Sequence, residues 1–294
     1  RAALRHDGRH PARPARRSLL IDLHCHSAAS DGALPPAELV ARAAASGLDA
    51  LALTDHDTLA GLSEAIAAGE RLGVRVVPAI ELSSRGDDLT VHVLGYLPSS
   101  RPEPLASTLA RVISVRENRN LAILDRLAEL GVPVEWDDVV RRAKGTVGRP
   151  HIAEAMIAAG HVADKDEAFQ RYLADDAPAY VSTAALTPEQ AVALIAESGG
   201  AAVIAHPLQL QLAPHALADY VGTLTAAGLR GLEAYRPEHT DAERAELGAL
   251  AQRRGLVATA GSDFHRPPPA GGSELGDTGP VPAGFDPLPR LGLV

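Results

Sequence analysis

Short aliphatic runs recur along the chain and are separated by longer stretches of helical periodicity. Residues 19–23, 50–54, 74–80, 90–96, 201–206, 231–235 and 256–260 are each of strand length and rich in Val, Ile, Leu or Ala. Between the first of them, Leu39, Val40 and Ala43 recur at helical spacing and stop at Gly47, and a second helix runs through Leu62, Ile66 and Ala67 to Gly73. Asp57 or Thr58 is placed to cap that second helix. Strand, loop and helix in this order predict an α/β fold with βα units.

The alternation stops between residues 98 and 181. Leu105, Leu109, Val112 and Ile113, followed by Ile123, Leu124, Leu127 and Leu130, mark helical segments up to Gly131. Trp136, Val139 and Val140 mark another, residues 150–159 a third opened by Pro150, and residues 167–173 a fourth. The expected organisation is a disordered tail at 1–17, a first barrel part at 18–99, a helical insertion at 100–182, a second barrel part at 183–266, and a Pro/Gly-rich tail at 267–294.

Composition narrows the picture. At 294 residues, with 46% hydrophobic and 3% aromatic positions, the core must be filled by Ala, Leu and Val, which suits helices around a parallel sheet. The one cysteine excludes a disulfide framework and a thiolate cluster, so a reducing, cytoplasmic setting is expected. A formal charge of -9 argues against a protein that grips long duplex nucleic acid by overall basicity. No run is long and apolar enough to cross a bilayer, and residues 1–17, with six arginines, contain no signal-peptide core.

Candidate chemistry sits at the strand ends. His24 and His26 follow the first aliphatic run, and strand alternation would put them with Asp22 on one face and Ile21, Leu23 and Cys25 on the other. Taken alone, this pair fits a metal site and ordinary structural histidines equally well. Asp31 follows on the next loop, His56 leaves the second strand, Glu81 ends the third, His92 lies within the fourth, His206 closes the fifth, and Asp263 and His265 follow the last. Repetition of His, Asp and Glu at nearly every strand end favours a metal centre. Cys25 has the opposite parity and should pack against helices; Asp22 could orient an imidazole; His161 and His215 read as surface residues, and His6 and His10 as tail.

The segments DLHCHSAASDG, ALTDHDT, PAIELSS, TVHVLGY, IAHP and GSDFH, in that order over residues 22–265, resemble the PHP (polymerase and histidinol phosphatase) family. The insertion, with GRPHIA at residues 148–153, is similar to the branch that hydrolyses nucleoside 3′,5′-bisphosphates and trims 5′-phosphorylated RNA. The resemblance implies a distorted seven-stranded β/α barrel of TIM-like form with three divalent metal ions, manganese, zinc or iron, at the carboxyl ends of the strands. His24, His26, Glu81 and Asp263 would hold the first, Asp31, His56 and His265 the second, and Glu81, His92 and His206 the third. Arg266 departs from the family, which often has glycine after SDxH. Two adjacent divalent ions lower the pKa of a shared water and polarise a phosphoryl oxygen, and a third leaves a surplus of positive charge for phosphate.

The expected substrate is a small phosphorylated nucleotide or a short RNA end, with hydrolysis at the 3′-phosphate of a bisphosphate. Arg149, ahead of Pro150 at a helix start, is implied to hold the phosphate that is not cut; Arg116 and Arg119, on an earlier helix, are weaker candidates, and at least one reads as a solvated charge. The alternatives are a histidinol-phosphate or AMP-type phosphatase, a barrel amidohydrolase, and a degenerate structural PHP module. A carboxylated strand lysine, common in amidohydrolases, is excluded because Lys144 and Lys165, the only lysines, lie in the insertion.

Overall fold

The computed structural model of the chain describes residues 19–86, 89–175, 177–182, 185–268 and 272–293; the tail expected at 1–17 lies outside them. The chain opens with β1 (Ile21–Cys25), α1 (Pro36–Ala45), β2 (Ala50–Leu53), α2 (Leu62–Leu72) and β3 (Arg75–Gly86), and the three strands pair in parallel. Strand β4 (Leu89–Tyr96) follows with no helix between, so it returns antiparallel along β3. The return sets β4 apart from the parallel βα units, because a parallel pair needs a crossover and a direct return does not. It also corrects the placement of Glu81. The ladder with β4 carries β3 on to Gly86, which leaves Glu81 in mid-strand opposite Leu94.

The insertion contains α3 (Leu105–Glu129), α4 (Trp136–Val140), α5 (Arg149–Ala158), α6 (Lys165–Ala168) and a π-helical turn over Phe169–Leu173. Where apolar spacing marks two helical segments, the structure has the single 25-residue α3. Leu105, Leu109 and Val112 in its first half pack on the barrel, whereas Ile123, Leu124 and Leu127 join Ile152, Met156 and Leu173 in a separate core. The barrel resumes with α7 (Pro188–Glu197), β5 (Ala201–Ile204), α8 (Pro214–Ala226), β6 (Gly231–Tyr235), α9 (Asp241–Arg254) and β7 (Val257–Ala260).

The strands are ordered β1 to β7 as in the sequence, and β4 is antiparallel to both neighbours. The ring closes just past β7. His26 N–H donates to the Phe264 carbonyl at 2.8 Å, and Asp263 N–H donates to the His24 carbonyl at 2.8 Å. The result is a distorted seven-stranded β/α barrel.

Side-chain parity fixes what faces inward. Ile21, Leu23, Ala52, Val77, Ala79, Leu94, Tyr96 and Val203 form an apolar cluster built from strands, closed below by Leu288 and Leu291 of the C-terminal segment. Their neighbours Leu51, Leu53, Ile80, Leu82, Val93, Leu232 and Ala234 pack outward with helices. Each fully buried leucine in these layers contributes on the order of 1.5–3 kcal/mol. Alternation therefore turns Glu81, His92 and Glu233 into the barrel, above the apolar plug.

Candidate metal centre

Strand β1 breaks its own alternation. Its register with β2 shifts between Asp22 and Cys25, and while Leu23 packs in the interior cluster, Cys25 packs outside with Leu39, Leu51 and Leu53. The bulge turns His24 and His26 inward and leaves Asp22 facing the other way. Asp22 thus does not orient an imidazole. It accepts from the Ser262 N–H at 3.0 Å, the Ser262 hydroxyl and the Gly276 N–H at 2.8 Å, tying β1 to the loop after β7 and to the C-terminal segment. Gly261 is needed beside it, since a Cβ there would lie 2.3 Å from the His24 Cβ and 2.5 Å from Glu233 Oε1.

The nine residues expected to bind metal lie together, and five of the others meet Glu81 directly. Its Oε2 is 3.3 Å from His24 Nε2, 3.2 Å from His26 Nε2 and 3.1 Å from His56 Nδ1; its Oε1 is 3.0 Å from His92 Nδ1 and 3.2 Å from His206 Nε2. Asp263 Oδ1 lies 3.3 Å from His24 Nε2 and 3.2 Å from His26 Nε2. Asp31 stands outside this knot, 3.4 Å from His265 Nε2 and 3.8 Å from both His26 Nδ1 and His56 Nε2. The compact groupings are His24, His26 and Glu81; His26, Asp31, His56 and His265; His56, Glu81 and His92; and His24, His206 and Asp263.

The antiparallel β4 explains His92. Running opposite to its neighbours, it brings its fourth residue to the end of the barrel where the other strands finish. His56 arrives because the loop after β2 continues to bridge β3, with His56 opposite Glu81. Three non-glycine residues in or beside the cluster hold positive φ: Asp57 at 53°, His206 at 25° and Asp263 at 53°. Such backbone is costly and persists where the surrounding structure enforces it.

Buried His24 Nε2, His26 Nδ1 and Nε2, His56 Nδ1, His92 Nδ1 and Glu81 Oε2 make no hydrogen bond. Each such atom costs about 1–3 kcal/mol unless something satisfies it. The atoms are neutral nitrogen and anionic oxygen donors pointing at common centres, so a divalent cation fits them. Protons are the competing occupants. Burial opposes charge on His26, but the neighbouring Asp263 and Glu81 carboxylates outweigh it and raise its pKa to about 10. Burial likewise opposes a charge on Glu81, and the surrounding imidazoles of His56, His24 and His92 hold it well below the usual carboxylate range.

Glu233 has no part in the expected site, yet it organises the site from behind. Its Oε1 is 3.0 Å from His24 Nδ1, and its Oε2 accepts from the His206 N–H at 2.7 Å and from Arg236 Nη1 at 2.9 Å. Despite burial, Arg236 and His24 lower its pKa to about 2. The available signal was a lone carboxylate between the outward Leu232 and Ala234 of an apolar strand. Asp55 does similar work for the Asp31 loop, accepting from Ser27 N–H at 2.8 Å and from the Ser27 and Ser30 hydroxyls at 2.7 Å. Asp57 does not cap α2, whose N-cap is Gly61; it accepts from Ser83 N–H at 2.9 Å and pairs with Arg116.

Beside His56 and His92 opens a cavity of 150 Å³ lined by Arg85, Arg116, Arg119 and Arg149. Arg116 donates to Asp57 Oδ2 through Nε at 2.8 Å, so it is not a solvated charge. Arg149 donates to Asp175 Oδ1 at 2.8 Å and to the Leu173 carbonyl at 2.9 Å, and Arg85 lies 3.3 Å from Asp175 Oδ2. Among the described residues, Arg119 alone of the four has no carboxylate within ion-pair distance; it donates to Asn120 Oδ1 at 3.0 Å. Burial, then the charges on Arg116 and Arg149, push its pKa down to about 9. The histidine of GRPHIA, His151, is buried and accepts the Gly148 N–H at 3.0 Å, so it caps α5. His161 bonds the Pro133 carbonyl, and Arg266 reaches Glu154 of α5 at 3.5 Å.

Residues 22–173 match the PHP domain family. The chain belongs to that family. A 5′-3′ exoribonuclease of Haemophilus influenzae is 35% identical over 87% of the chain and 92% of its own length. A 3′,5′-nucleoside bisphosphate phosphatase of Chromobacterium violaceum is 36% identical over 89% of the chain and 92% of its own length. The crystal structure of a Bifidobacterium adolescentis protein, provisionally described as a metal-dependent phosphoesterase, superposes with a TM-score of 0.77 at 32% identity, covering 87% of this chain and 91% of that one. This PHP chain is accordingly a metal-dependent phosphoesterase, a hydrolase of phosphoric esters. Among its described residues no helix is long and apolar enough to cross a membrane.

Proposed function

We propose that this PHP protein removes the 3′-phosphate of nucleoside 3′,5′-bisphosphates and also acts on short 5′-phosphorylated RNA. The observation that carries this reading is the cavity with four arginines opening directly beside the His56 and His92 wall of the centre. A substrate with one phosphate at the centre and a second a few ångströms away matches that pairing; a monoester with a single phosphate leaves the arginines idle. The two curated relatives act, by their names, on a nucleoside bisphosphate and on RNA from its 5′ end, which supports the same choice. Four guanidinium groups oppose a substrate carrying an ammonium, so histidinol phosphate fits less well.

His24, His26, Asp31, His56, Glu81, His92, His206, Asp263 and His265 would hold three divalent ions, manganese, zinc or iron, with Glu81 shared. Bound there, the ions supply an acidified water and polarise the phosphoryl oxygen. The rest falls to the chain. Glu233 fixes the tautomer and orientation of His24. Arg119 faces the phosphate that is not cut, flanked by Arg116 and Arg149, which their carboxylates hold in place. The helical insertion, which supplies these three arginines, serves as the substrate-selecting cap. A reducing, cytoplasmic setting suits the single, buried thiol of Cys25.

Phosphate release from adenosine 3′,5′-bisphosphate, AMP, histidinol phosphate and an aryl phosphate, with added manganese, tests the reading. The bisphosphate should lead in kcat/KM by at least tenfold. Equal rates across the panel would leave a general phosphoesterase.

A further inference from the structure

The centre opens on a second side. Past Asp263 and His265 runs a groove of 870 Å³ whose lining includes Pro150, Ile157, Ala163 and Phe169. Pro150 and Phe169, together with Asp31, also line the arginine cavity, so the two spaces meet at the Phe169 ring. We propose that this groove seats the nucleobase and that Phe169 is the residue on which the base stacks.

The proposal rests on the nucleoside reading of the substrate and adds where the base lies. A nucleoside 3′,5′-bisphosphate has three arms. With one phosphate at the metal centre and the other among the arginines, the base has two ways out, and the one beside His92 and His206, lined by Thr90, Arg149, Gln209 and Leu210, offers no aromatic ring. The groove sets the Phe169 ring beside Pro150, Ile157 and Ala163, with Glu154, Asp164, Lys165, Asp166 and Arg266 as charged walls.

Aromatic surface is scarce here, and Phe169 is placed differently from the rest. The chain has three phenylalanines and one tryptophan. Phe264 is fully buried, Phe285 packs against Tyr235, and Tyr180 carries Arg85 and Arg149 over its ring at 5.2 and 5.4 Å. Phe169 is half-buried at the edge of the insertion core, with Arg149 5.9 Å from its ring centroid. It starts the π-helical turn Phe169–Leu173, which follows directly on α6. Turns of this kind inside helices re-aim a side chain and recur at functional sites. A ring fixed in this way offers any base a face without reading its hydrogen-bonding edge, so discrimination among bases should be weak.

The test compares adenosine 3′,5′-bisphosphate with its abasic counterpart, 1-deoxyribose 3,5-bisphosphate, on the manganese-loaded full chain. Phe169→Ala should lower kcat/KM for the nucleoside roughly five- to 150-fold, the span that base–aromatic stacking gives by alanine substitution. The abasic compound should change by less than about twofold, and Phe169→Tyr should retain most of the nucleoside rate. Equal losses on both compounds would make Phe169 a packing residue, and no loss on either would remove it from the site; both outcomes overturn the proposal. Calorimetric titration with AMP and with inorganic phosphate separates this idea from the substrate reading. If the bisphosphate is not hydrolysed yet AMP binds more tightly than phosphate in a Phe169-dependent way, the base seat stands and the reaction assignment fails. If AMP binds no more tightly than phosphate, the base seat fails whatever the reaction.

Discussion

Glu233 lies 3.0 Å from His24 Nδ1 through one carboxylate oxygen and accepts the His206 N–H at 2.7 Å through the other. One buried side chain thereby sets the imidazole of a first-strand residue and the backbone of a residue just past the fifth strand. Glu233→Gln keeps the shape and removes the charge that favours the metal-binding tautomer of His24. Metal affinity or turnover should fall about 10- to 100-fold, with the barrel still folded. Metal content by mass spectrometry, read beside kcat, checks this; unchanged values in both would show that Glu233 only packs.

Removal of the ions should abolish activity, and manganese should restore it. His24→Ala deletes a nitrogen donor and Asp263→Asn removes a carboxylate charge from the clustered groups, and each should lower turnover at least 100-fold while circular dichroism stays native. Near-native turnover with full metal content in either variant would refute the ligand assignment.

The arginines divide by partner. Arg149 is engaged by Asp175 and by the Leu173 carbonyl, while Arg119 lacks a carboxylate among the described residues, so Arg119 gains most from an arriving phosphate. A charge-assisted contact of this kind contributes about 1.5–3 kcal/mol. Arg119→Ala should therefore cost roughly tenfold to a hundredfold in kcat/KM on the bisphosphate and little on an aryl phosphate. Arg149→Ala should cost less than Arg119→Ala on the bisphosphate. The reverse order would return the main role to Arg149.

Gly145 is where the insertion meets the loop that bears Asp31. Thr146 N–H donates to the Ala29 carbonyl at 2.9 Å, and a Cβ on Gly145 would fall 1.9 Å from that same oxygen. Gly145→Ala must push the two loops apart, at a cost of about 1–3 kcal/mol. Lower activity on the bisphosphate together with a lower melting temperature is expected. A melting curve and turnover both equal to the parent would show that this contact is dispensable.

The strands and the residues that cluster here were legible because aliphatic runs with His, Asp or Glu in or near them survive any detail of register. Three things were not. The bulge in β1 reverses the side of Asp22, and nothing in the residues 21–26 marks an extra inward position. The return of β4 depends on the absence of a helix, which moves Glu81 from a strand tip to mid-strand. Asp57 and Arg116 lie 59 positions apart, and only folding reveals that the carboxylate expected at a helix start anchors an arginine instead.

The ladder on either side of Glu81 also bears on ion traffic. Glu81, His24 and His26 are at most 1% exposed and sit on paired backbone, whereas His265, on the loop after β7, is 30% exposed and faces Asp31. If ions bind as proposed, one at the Asp31 and His265 position would trade ligands for water without disturbing a strand, whereas one held by His24, His26 and Glu81 would not. The outer position should therefore equilibrate with whatever divalent metal the surroundings provide. The inner one would keep the ion it first acquired, so that supply would set the occupancy of one and history that of the other.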